Sequence, residues 1–599
     1  MPVPLSNIDG TFLLSTLYKP FTFVSQPFPV PFPIPCFPDW EASWQNCVRR
    51  IAHLRTPGKS TDTNFPEHAL ERRSAIPDLM HDTTITRLIL HTTHKEKFFT
   101  YGEIPMAENH AVDRPTLEKS MSPLAIWALA FGAIIGWGAF VMPGLRFLPG
   151  SGPLGSVIGF VAGGIMLIFV ALAYGRLVGA FPIAGGVFAF AYAAFGPTLS
   201  FVCGWALVLG YLSIIALNAT AIVLLTRFLL PGIFEFGHLY TIVDWHIYAG
   251  ELALLEAVLV LFWYLNYRGA DVVGKIQVAL AIILAAGVIL IMAGAALHPT
   301  SSIANLQPYF ATGKTPLACV IAVTAIAPWL FVGFDTIPQA AEEFNFKPSM
   351  STILMILSIV CGIITYAAIT IAVAVVVPWE PLIRDFTIFW HTGHVVNLTL
   401  GAPGSIILGL AVLSAILTGI NGFYIACSRL LFSMGRSRIL PTWFAEIHPT
   451  HKTPTHALNF ILVLVIIAPF FGREVLSWVV DMSSIGTIIG YFFASLASYK
   501  LASSCVHLQN GTTKPLAILG CISSLICLGL LILPVSPASI SIHSWVVLGI
   551  WTILGFVVYY MRLAAVKSIP ERERAFLILG DNELFHIFLR RMGIHDSIL

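Results

Sequence analysis

The residues best suited to hold a small polar molecule lie in two runs that mix glycine and proline with apolar residues. The first run is residues 131–144 (FGAIIGWGAFVMPG), and the second is residues 325–338 (AIAPWLFVGFDTIP). Glycine and proline are poor helix formers, so each run predicts a helix that is interrupted inside a membrane. Such interruptions present free backbone N–H and C=O groups to a ligand near the middle of the bilayer. The pair therefore indicates a transport site.

Several side chains in or near these runs could bind a proton or contact the cargo. An ionisable group inside a membrane costs free energy and by default indicates function, so Asp335 is predicted to bind or relay a proton as the site closes. The alternatives for Asp335 are pairing with basic loop residues and capping a half-helix. Trp329 and Phe331 are predicted to cover the cargo, although aromatic residues in membrane helices more often serve packing. Asn218 and Phe423 are candidate walls of a side-chain pocket, with hydrogen bonding between helices as the alternative for Asn218.

The composition places most of the chain in a bilayer. Of the 599 residues, 57% are hydrophobic and only 11% are charged, and the mean hydropathy is +0.82. A soluble chain carries roughly 25% charged residues. The net charge of +2 is too small to indicate a nucleic-acid partner. The nine cysteines are scattered without metal-binding spacing, so no disulfide framework, metal site or cofactor is predicted.

Apolar segments recur from residue 123 onward at the length of a membrane-spanning helix, about 20 residues. The pattern predicts an all-α integral membrane protein with about twelve transmembrane helices, of which the first and sixth are discontinuous. A short hairpin at residues 472–474 is predicted to separate the ninth and tenth spans. The predicted spans are 123–143, 152–174, 198–227, 249–267, 276–297, 317–339, 351–377, 403–432, 456–471, 474–499, 515–533 and 543–562.

Residues 1–120 do not match the rest of the chain. The prolines of residues 21–38 exclude a spanning helix or the core of a signal peptide, and the polar stretch that follows lacks periodicity. The segment is predicted to be a disordered or spurious amino-terminal extension, with Met106 as an alternative start. Residues 121–565 are predicted to form the transmembrane domain, and residues 566–599 a cytoplasmic tail.

Lysine and arginine in short loops favour the cytoplasmic side of a membrane. If the amino terminus is cytoplasmic, the inner loops hold ten of these residues and the outer loops five. Both termini are therefore predicted to be cytoplasmic, in a multi-pass protein of the cell membrane.

Four motifs resemble those of the amino acid–polyamine–organocation (APC) family of permeases. With a supporting match in span ten at 484–491 (SIGTIIGY), they occur in the family's order and cover roughly residues 120–500. The motifs are the glycine-rich first-span segment at 136–144, the signature between spans two and three at 181–190 with Gly204 and Trp205, the end of span six at 334–343 (FDTIPQAAEE), and the loop after span eight at 428–441 (SRLLFSMGRSRILP).

The resemblance implies a five-plus-five inverted repeat with two added spans. It also implies a secondary active transporter that moves an amino acid or related amine by alternating access, coupled to protons or working by exchange. The N–H groups of residues 135–138 would hold the cargo's carboxylate at the positive end of a half-helix, and carbonyl groups released at both interruptions would face its ammonium. The substrate-binding residues are then Ala133, Ile134, Ile135, Gly136, Trp137, Gly138, Trp329, Phe331, Val332 and Gly333, with Asn218 and Phe423 as pocket walls.

Four features depart from the family's pattern, and one of them is Ser437-Arg438 in place of the usual Asp-Gly. Trp137 stands where many members carry Ser or Ala, so its bulk is expected to shrink or redirect the pocket. Arg176 takes a place that is usually acidic. The fifth span lacks the buried lysine that some members use in place of a sodium ion, since Lys275 lies at the cytoplasmic mouth of that span instead. The coupling ion is therefore left open.

Two other classes of function are the alternatives, namely a membrane-embedded enzyme and a substrate sensor with a permease fold. The sequence contains no HExxH, Walker or Gly-x-Ser-x-Gly motif and no paired carboxylates at catalytic spacing, so an enzyme is not predicted. A sensor would need a signalling domain, and the amino-terminal extension lacks the periodicity of one. The expected partners are a small amino acid or amine and the lipid bilayer.

Overall fold

The computed structural model of the chain describes residues 114–594, except for residues 244, 386, 389 and 535 and the side chains of residues 474, 477 and 480. Residues 1–105, predicted to be an extension, and the alternative start at Met106 lie outside the described residues. The described chain is mainly helical. Its two strands, β1 (His238–Ile242) and β2 (Trp245–Tyr248), form an antiparallel hairpin in which His238 pairs with Tyr248.

Helices follow one another along the described chain from residue 123 to residue 591. In chain order they are α1 (Pro123–Ile134), α2 (Gly138–Met142), α3 (Leu148–Ala180), α4 (Val187–Phe195), α5 (Pro197–Leu229), α6 (Ala249–Arg268), α7 (Ala270–Leu297), α8 (Pro316–Thr324), α9 (Ala327–Leu330), α10 (Thr336–Gln339), α11 (Met350–Val376), α12 (Trp379–Arg384), α13 (His391–Arg436), α14 (Thr455–Ile467), α15 (Gly472–Leu501), α16 (Thr513–Ile532), α17 (Ile542–Lys567), α18 (Glu571–Leu579) and α19 (Glu583–Arg591).

Eight helical stretches of the described chain are long and apolar enough to cross a membrane. The molecule is therefore a multi-pass helical membrane protein, as its composition predicts. The predicted hairpin at residues 472–474 is replaced by a 3₁₀ turn at Ala468–Phe471, after which α15 begins directly at Gly472. The positive φ of Gly472 (76°) turns the chain at this point without a separate loop.

The first predicted run does interrupt a helix. Helix α1 begins at Pro123, where a missing N–H is tolerated, and the Ser122 side chain caps it by accepting from the Ala125 N–H (3.2 Å). The helix ends at Ile134 because Ile135 leaves the helical region (φ −87°, ψ 80°). We call residues 135–137 the first break. The chain then continues through α2 and a π turn at Pro143–Phe147 into α3.

The second predicted run is interrupted as well. Thr315 caps α8 by accepting from the Ala318 N–H (3.2 Å). After the single turn of α9, Phe331 leaves the helical region (φ −105°, ψ 4°). Gly333 has a φ of 133°, which L residues with a side chain rarely adopt. We call residues 331–335 the second break, and α10 follows it at Thr336.

Long helices surround the two breaks. Helix α11 packs against α3, α13 against α5 and α7, and α15 against α5 and α16. Both breaks lie within the buried apolar core, where Ile135, Phe331 and Phe334 have no exposed surface. A buried backbone without regular helical pairing needs polar partners. The surrounding helices supply those partners.

Two buried ion pairs join the 3₁₀ turn that follows α10, at Ala341–Glu343, to α13. Nη2 of Arg429 lies 2.8 Å from Oε1 of Glu343, and both side chains are at most 2% exposed. Nη1 of Arg436 lies 2.9 Å from Oε1 of Glu342. Since each of these charges is removed from water, each depends on its partner.

Residues 114–120 are joined to the helical domain, although the sequence assigned them to the extension. The Arg114 Nε donates to the Leu577 carbonyl at 3.1 Å, and its guanidinium approaches Glu342 at 3.8 Å. Burial, and then the neighbouring Arg436, lowers the pKa of Arg114 to about 10, while Glu342 opposes the shift. Leu117 is buried.

The carboxy-terminal tail is folded, which the sequence did not predict. The Tyr192 hydroxyl of α4 donates to Glu571 of α18 at 2.6 Å, and its ring stacks on Phe588 of α19 at 5.0 Å between centroids. At the end of α19, Arg591 donates to the Lys500 carbonyl at 3.2 Å. The tail thus packs against α4 and the end of α15.

Candidate functional site

The two breaks touch each other. A Cβ placed on Gly333 would lie 2.7 Å from the Ile134 nitrogen and 2.8 Å from the carbonyl carbon of Ala133. The second break therefore passes directly over the end of α1 at the residue where only glycine fits. This approach brings irregular backbone from both predicted runs into one place.

Helix α11 faces both breaks with residues one turn apart. The Tyr366 hydroxyl donates to the Ile134 carbonyl at 3.0 Å and to the Leu330 carbonyl at 3.1 Å. One turn earlier, a Cβ on Gly362 would lie 2.8 Å from a side-chain carbon of Ile134 and 3.3 Å from the Phe331 ring. The missing side chain at Gly362 lets α11 lie close enough for the tyrosine to reach both carbonyls.

Asp335 is the centre of a hydrogen-bonded group at the end of the second break. Its side chain is fully buried. Oδ2 accepts from the Tyr211 hydroxyl at 2.7 Å, and Oδ1 accepts from the Gly333 N–H at 3.0 Å and from the Tyr491 hydroxyl at 3.5 Å. Gln339 donates to the Tyr211 oxygen at 3.2 Å. The carboxyl group thus has tyrosine and backbone donors, rather than the basic loop partner considered from the sequence.

Trp137 and Trp329 form an aromatic pair at the two breaks. The rings of Trp137 and Trp329 meet edge to face with centroids 6.4 Å apart. A Cβ on Gly138 would lie 2.8 Å from Cη2 of Trp329, so the ring rests on the bare backbone of α2. The Arg473 guanidinium lies 4.4 Å from the Trp137 ring centroid and donates to the Thr220 hydroxyl at 3.0 Å. Trp137, which departs from the family's pattern, is therefore held in place from two sides.

A cavity of about 350 Å³ lies against this aromatic pair. Of the residues predicted to bind substrate, Trp137 and Trp329 line it. The lining also includes Ala325 and Ile326 just before α9. Its polar and charged lining residues are Arg146, Arg473, Asp481, Ser484 and Ser539.

The remaining predicted site residues lie at or beside the breaks rather than on this cavity, and all of them except Gly136 are buried. Gly136 is half-buried, and Asn218 lies beside it, because a Cβ on Gly136 would be 3.8 Å from the Asn218 Oδ1. The Phe423 ring lies against the Tyr211 ring, 5.7 Å between centroids. The buried residues among those predicted to bind substrate are Ala133, Ile134, Ile135, Gly138, Phe331, Val332, Gly333, Asn218 and Phe423.

Two backbone N–H groups of the first break already donate to carbonyl groups of the protein. The Ile135 N–H donates to the Phe131 carbonyl at 3.0 Å, and the Gly136 N–H donates to the Ile134 carbonyl at 3.1 Å. Of the N–H groups predicted to meet a carboxylate, those of Trp137 and Gly138 at the start of α2 are therefore the better placed.

A buried amide group joins four helices beside the first break. Gln277 Nε2 of α7 lies within hydrogen-bond distance of the Ala128 carbonyl (3.2 Å) and the Thr418 carbonyl (3.3 Å). The Asn421 Nδ2 donates to Gln277 Oε1 at 2.7 Å, and the Asn266 Nδ2 donates to Asn421 Oδ1 at 3.0 Å. All three amides are at most 1% exposed. Lys275, by contrast, pairs with Asp271 at 2.6 Å in solvent.

The sequence alone did not single out Gln277, Tyr211, Tyr366 and Tyr491 as site residues. The available signal was a polar group inside a strongly apolar segment, which needs a partner in the membrane. Among the residues that the structure describes, no group of three or more His, Cys, Asp or Glu side chains is arranged to hold a metal ion.

Comparisons with known proteins identify the family of this chain. A family model described as amino acid permease matches residues 121–559. The branched-chain amino acid permease BcaP of Bacillus subtilis is 26% identical, over 74% of this chain and 93% of its own length. The aspartate-proton symporter of the same bacterium is 24% identical, over 68% and 77%. The vacuolar cationic amino acid transporter 4 of Arabidopsis thaliana is 25% identical, over 63% and 62%.

Proposed function

We propose, for a chain that belongs to the amino acid permease family, that it is a secondary active transporter carrying an amino acid across a membrane by alternating access. The observation that carries the proposal is the meeting of the two breaks, where Gly333 lies against Ala133 and Ile134. Broken spans that meet inside a membrane protein expose backbone groups only where protein or a cavity surrounds them, and transport sites are built in this way. The alternatives of an enzyme and a sensor have no comparable observation in their favour.

The arrangement suits a zwitterion. The start of α2 offers N–H groups at Trp137 and Gly138 for a carboxylate, with the partial positive charge of a helix end. The ends of α1 and α9 offer carbonyl groups, such as those of Ile134 and Leu330, for an ammonium. These groups are main chain, so they recognise what all amino acids share. The names of the relatives include branched-chain, acidic and cationic amino acids, which fits a common backbone site with a variable pocket.

We place the side chain of the cargo toward the cavity lined by Trp137 and Trp329. The cavity lies against the aromatic pair, so rotation of either ring would join it to the breaks. Asn218 and Phe423 then form the wall on the α5 and α13 side. The bulk of Trp137 narrows this path, as its departure from the family's pattern predicts.

Proton coupling is assigned to Asp335. An ionised carboxylate only accepts hydrogen bonds, whereas a protonated one must also donate. Since Tyr211, Tyr491 and the Gly333 N–H all donate to this group, a proton on it needs an acceptor, which a tyrosine hydroxyl supplies by turning its own hydrogen away. Gln277, whose amide lies between Ala128 and Thr418, does not titrate. One relative is named as a proton symporter.

We further propose twelve spans in a five-plus-five inverted repeat with two added spans, and both termini on the cytoplasmic side of the cell membrane. The two breaks occupy the first and sixth spans of that count, as an inverted repeat requires. The lysine and arginine bias of the loops supports the orientation. The aromatic pair and its cavity then lie on the outer side, and the Glu343–Arg429 pair on the inner side.

Uptake by proteoliposomes tests the proposal. Purified protein is reconstituted and given each radiolabelled amino acid and putrescine, with and without an inward proton gradient, and the internal label is identified by chromatography. We expect unmodified label to accumulate for at least one amino acid, and more of it with the gradient. Chemical conversion of the label would indicate an enzyme, and binding without accumulation would indicate a sensor.

A further inference from the structure

We infer that Tyr366 is a positioning residue for the ammonium group of the cargo. Its hydroxyl braces the Ile134 and Leu330 carbonyls, one from each interrupted helix, in the arrangement that receives the ammonium. The inference rests on the proposed function, because it concerns how the same site recognises an amino acid.

The brace is a single hydroxyl group shared between two acceptors. The Tyr366 oxygen lies 3.0 Å from the Ile134 oxygen and 3.1 Å from the Leu330 oxygen. A phenol has one hydrogen to donate, while a carbonyl oxygen has two lone pairs. The Gly136 N–H already fills one lone pair of the Ile134 oxygen, so each carbonyl keeps one free lone pair when the hydroxyl hydrogen is directed at Leu330. An ammonium group carries three donors and can meet both carbonyls at once.

The tyrosine ring is fixed, so the hydroxyl acts as a rigid strut. Its ring centroid lies 6.2 Å from that of Phe147, 5.6 Å from that of Phe160 and 5.9 Å from that of Phe331. The residue is 2% exposed. It is not among the residues that line the cavity at Trp137 and Trp329. Tyr366 therefore stands behind the two carbonyls and sets their positions without having to touch the cargo.

Neither carbonyl is held in place by the regular hydrogen bonds of a helix interior. Ile134 is the last residue of α1 and Leu330 the last residue of α9. The Ile134 carbonyl accepts in addition only from the neighbouring Gly136 N–H, at 3.1 Å, among the backbone hydrogen bonds of the described loops and breaks. Without the Tyr366 hydroxyl, the two carbonyl groups can turn away from a common ligand. The cargo then has to order them when it binds, which reduces its binding free energy.

The test compares Tyr366→Phe with Tyr424→Phe, a buried tyrosine whose hydroxyl lies 3.4 Å from the Leu259 carbonyl, away from both breaks. The probes are L-leucine, L-aspartate and L-lysine, each beside the 2-hydroxy acid with the same side chain, which lacks the ammonium. Dissociation constants come from thermal stabilisation in detergent, and exchange rates at saturating amino acid come from proteoliposomes.

We expect Tyr366→Phe to weaken binding of the amino acid about tenfold, the size of one net hydrogen bond of about 1.4 kcal/mol. Binding of the matching hydroxy acid should change less than twofold, and the saturated exchange rate should stay at the parent value. Tyr424→Phe should leave the amino-acid affinity, the hydroxy-acid affinity and the saturated exchange rate at the parent values. If Tyr366→Phe does not fold, Tyr366→Met, which fills a similar volume without a hydroxyl, takes its place.

Two results would overturn the inference while leaving the proposed function intact. One is an amino-acid affinity within twofold of the parent. The other is equal weakening of the amino acid and its hydroxy acid, which marks a purely structural residue. If the parent itself binds none of the three amino acids, the proposed function fails instead, and this inference fails with it.

Discussion

The hydroxyl of Tyr211 donates a 2.7 Å hydrogen bond to Oδ2 of Asp335, so α5 and the second break are joined through a fully buried carboxyl group. The bond joins two parts of the chain that are 124 positions apart in the sequence. Gln339 donates to the same tyrosine oxygen at 3.2 Å, which leaves the tyrosine hydrogen directed at Asp335. A change in the protonation of Asp335 therefore alters the hydrogen bonding of both α5 and the second break.

Asp335→Asn should abolish accumulation driven by a proton gradient and preserve substrate binding and exchange at equal substrate on both sides. The amide cannot take up and release a proton, whereas the backbone groups proposed to bind the cargo are unchanged. Proteoliposome uptake with and without the gradient measures the first effect, and counterflow measures the second.

Asp271→Asn is the matched control, because its side chain is 57% exposed and, among the described residues, forms its ion pair with Lys275, which is 76% exposed. It should accumulate substrate as the parent does. If Asp335→Asn also accumulates substrate along the gradient, Asp335 is a structural group of the second break and the coupling site lies elsewhere.

Gly138→Leu should weaken substrate binding by at least about tenfold, with expression near that of the parent. Its Cβ would lie 2.8 Å from Cη2 of Trp329, and overpacking of this kind costs about 1–3 kcal/mol. That cost falls on the aromatic pair and on the start of α2, where the carboxylate is proposed to bind. Thermal-shift titration with the transported amino acid measures the affinity.

Gly549→Leu serves as the control, since a Cβ at Gly549 of α17 meets no atom within 4 Å. The same substitution there adds an apolar side chain to an exposed helix face and should change nothing. An affinity of Gly138→Leu equal to that of the parent would remove the first break from the binding site.

The two interruptions were predictable because their cause is local. Glycine and proline at residues 136–144 and at Pro328 and Gly333 disfavour a helix whatever surrounds them. The breaks are found where those residues lie. Apolar length likewise predicted a multi-pass helical protein from composition alone.

The partners of the breaks were not predictable because they come from far along the chain. Tyr366 reaches Ile134 across 232 positions, and Tyr491 reaches Asp335 across 156. A tyrosine in an apolar segment predicts that some partner exists, but periodicity does not say which one. The tail helices α18 and α19 were missed for a related reason. Each is only nine residues long, and their partner Tyr192 lies far earlier in the chain.

Glu343→Ala should destabilise the protein strongly, by about 3–5 kcal/mol, because it leaves the Arg429 charge buried without its partner. The two side chains are 2% and 1% exposed and lie 2.8 Å apart. Thermal unfolding in detergent, followed by size-exclusion chromatography, measures the loss. The double variant Glu343→Leu/Arg429→Met removes both charges and should recover part of the stability.

The exposed pair Asp271–Lys275 provides the comparison. Its side chains are 57% and 76% exposed, and pairs of this kind contribute about 0.2–1 kcal/mol. Asp271→Ala should therefore shift the unfolding temperature little. A similarly small shift for Glu343→Ala would show that water reaches the Arg429 pair and that the protein is less tightly packed around this pair than its contacts indicate.

Two shortened chains test where the functional protein begins. A variant that starts at Met106 keeps Arg114, whose Nε donates to the Leu577 carbonyl at 3.1 Å, and Leu117, whose N–H donates to Oε1 of Glu342 at 3.3 Å. It should fold and transport like the full chain. A variant that starts at Met121 loses both contacts and also the Pro115 carbonyl that accepts from Arg436 at 3.0 Å.

The Met121 variant should therefore unfold at a lower temperature and give less monodisperse protein, because Glu342 and Arg436 lose partners while remaining buried. Fluorescence-detected size-exclusion chromatography after a heating series measures both variants side by side, and leucine and aspartate uptake measures their activity. Equal behaviour of the two variants would show that residues 114–120 add nothing to the domain. Loss of folded protein already in the Met106 variant would show that residues 1–105 contribute to the structure.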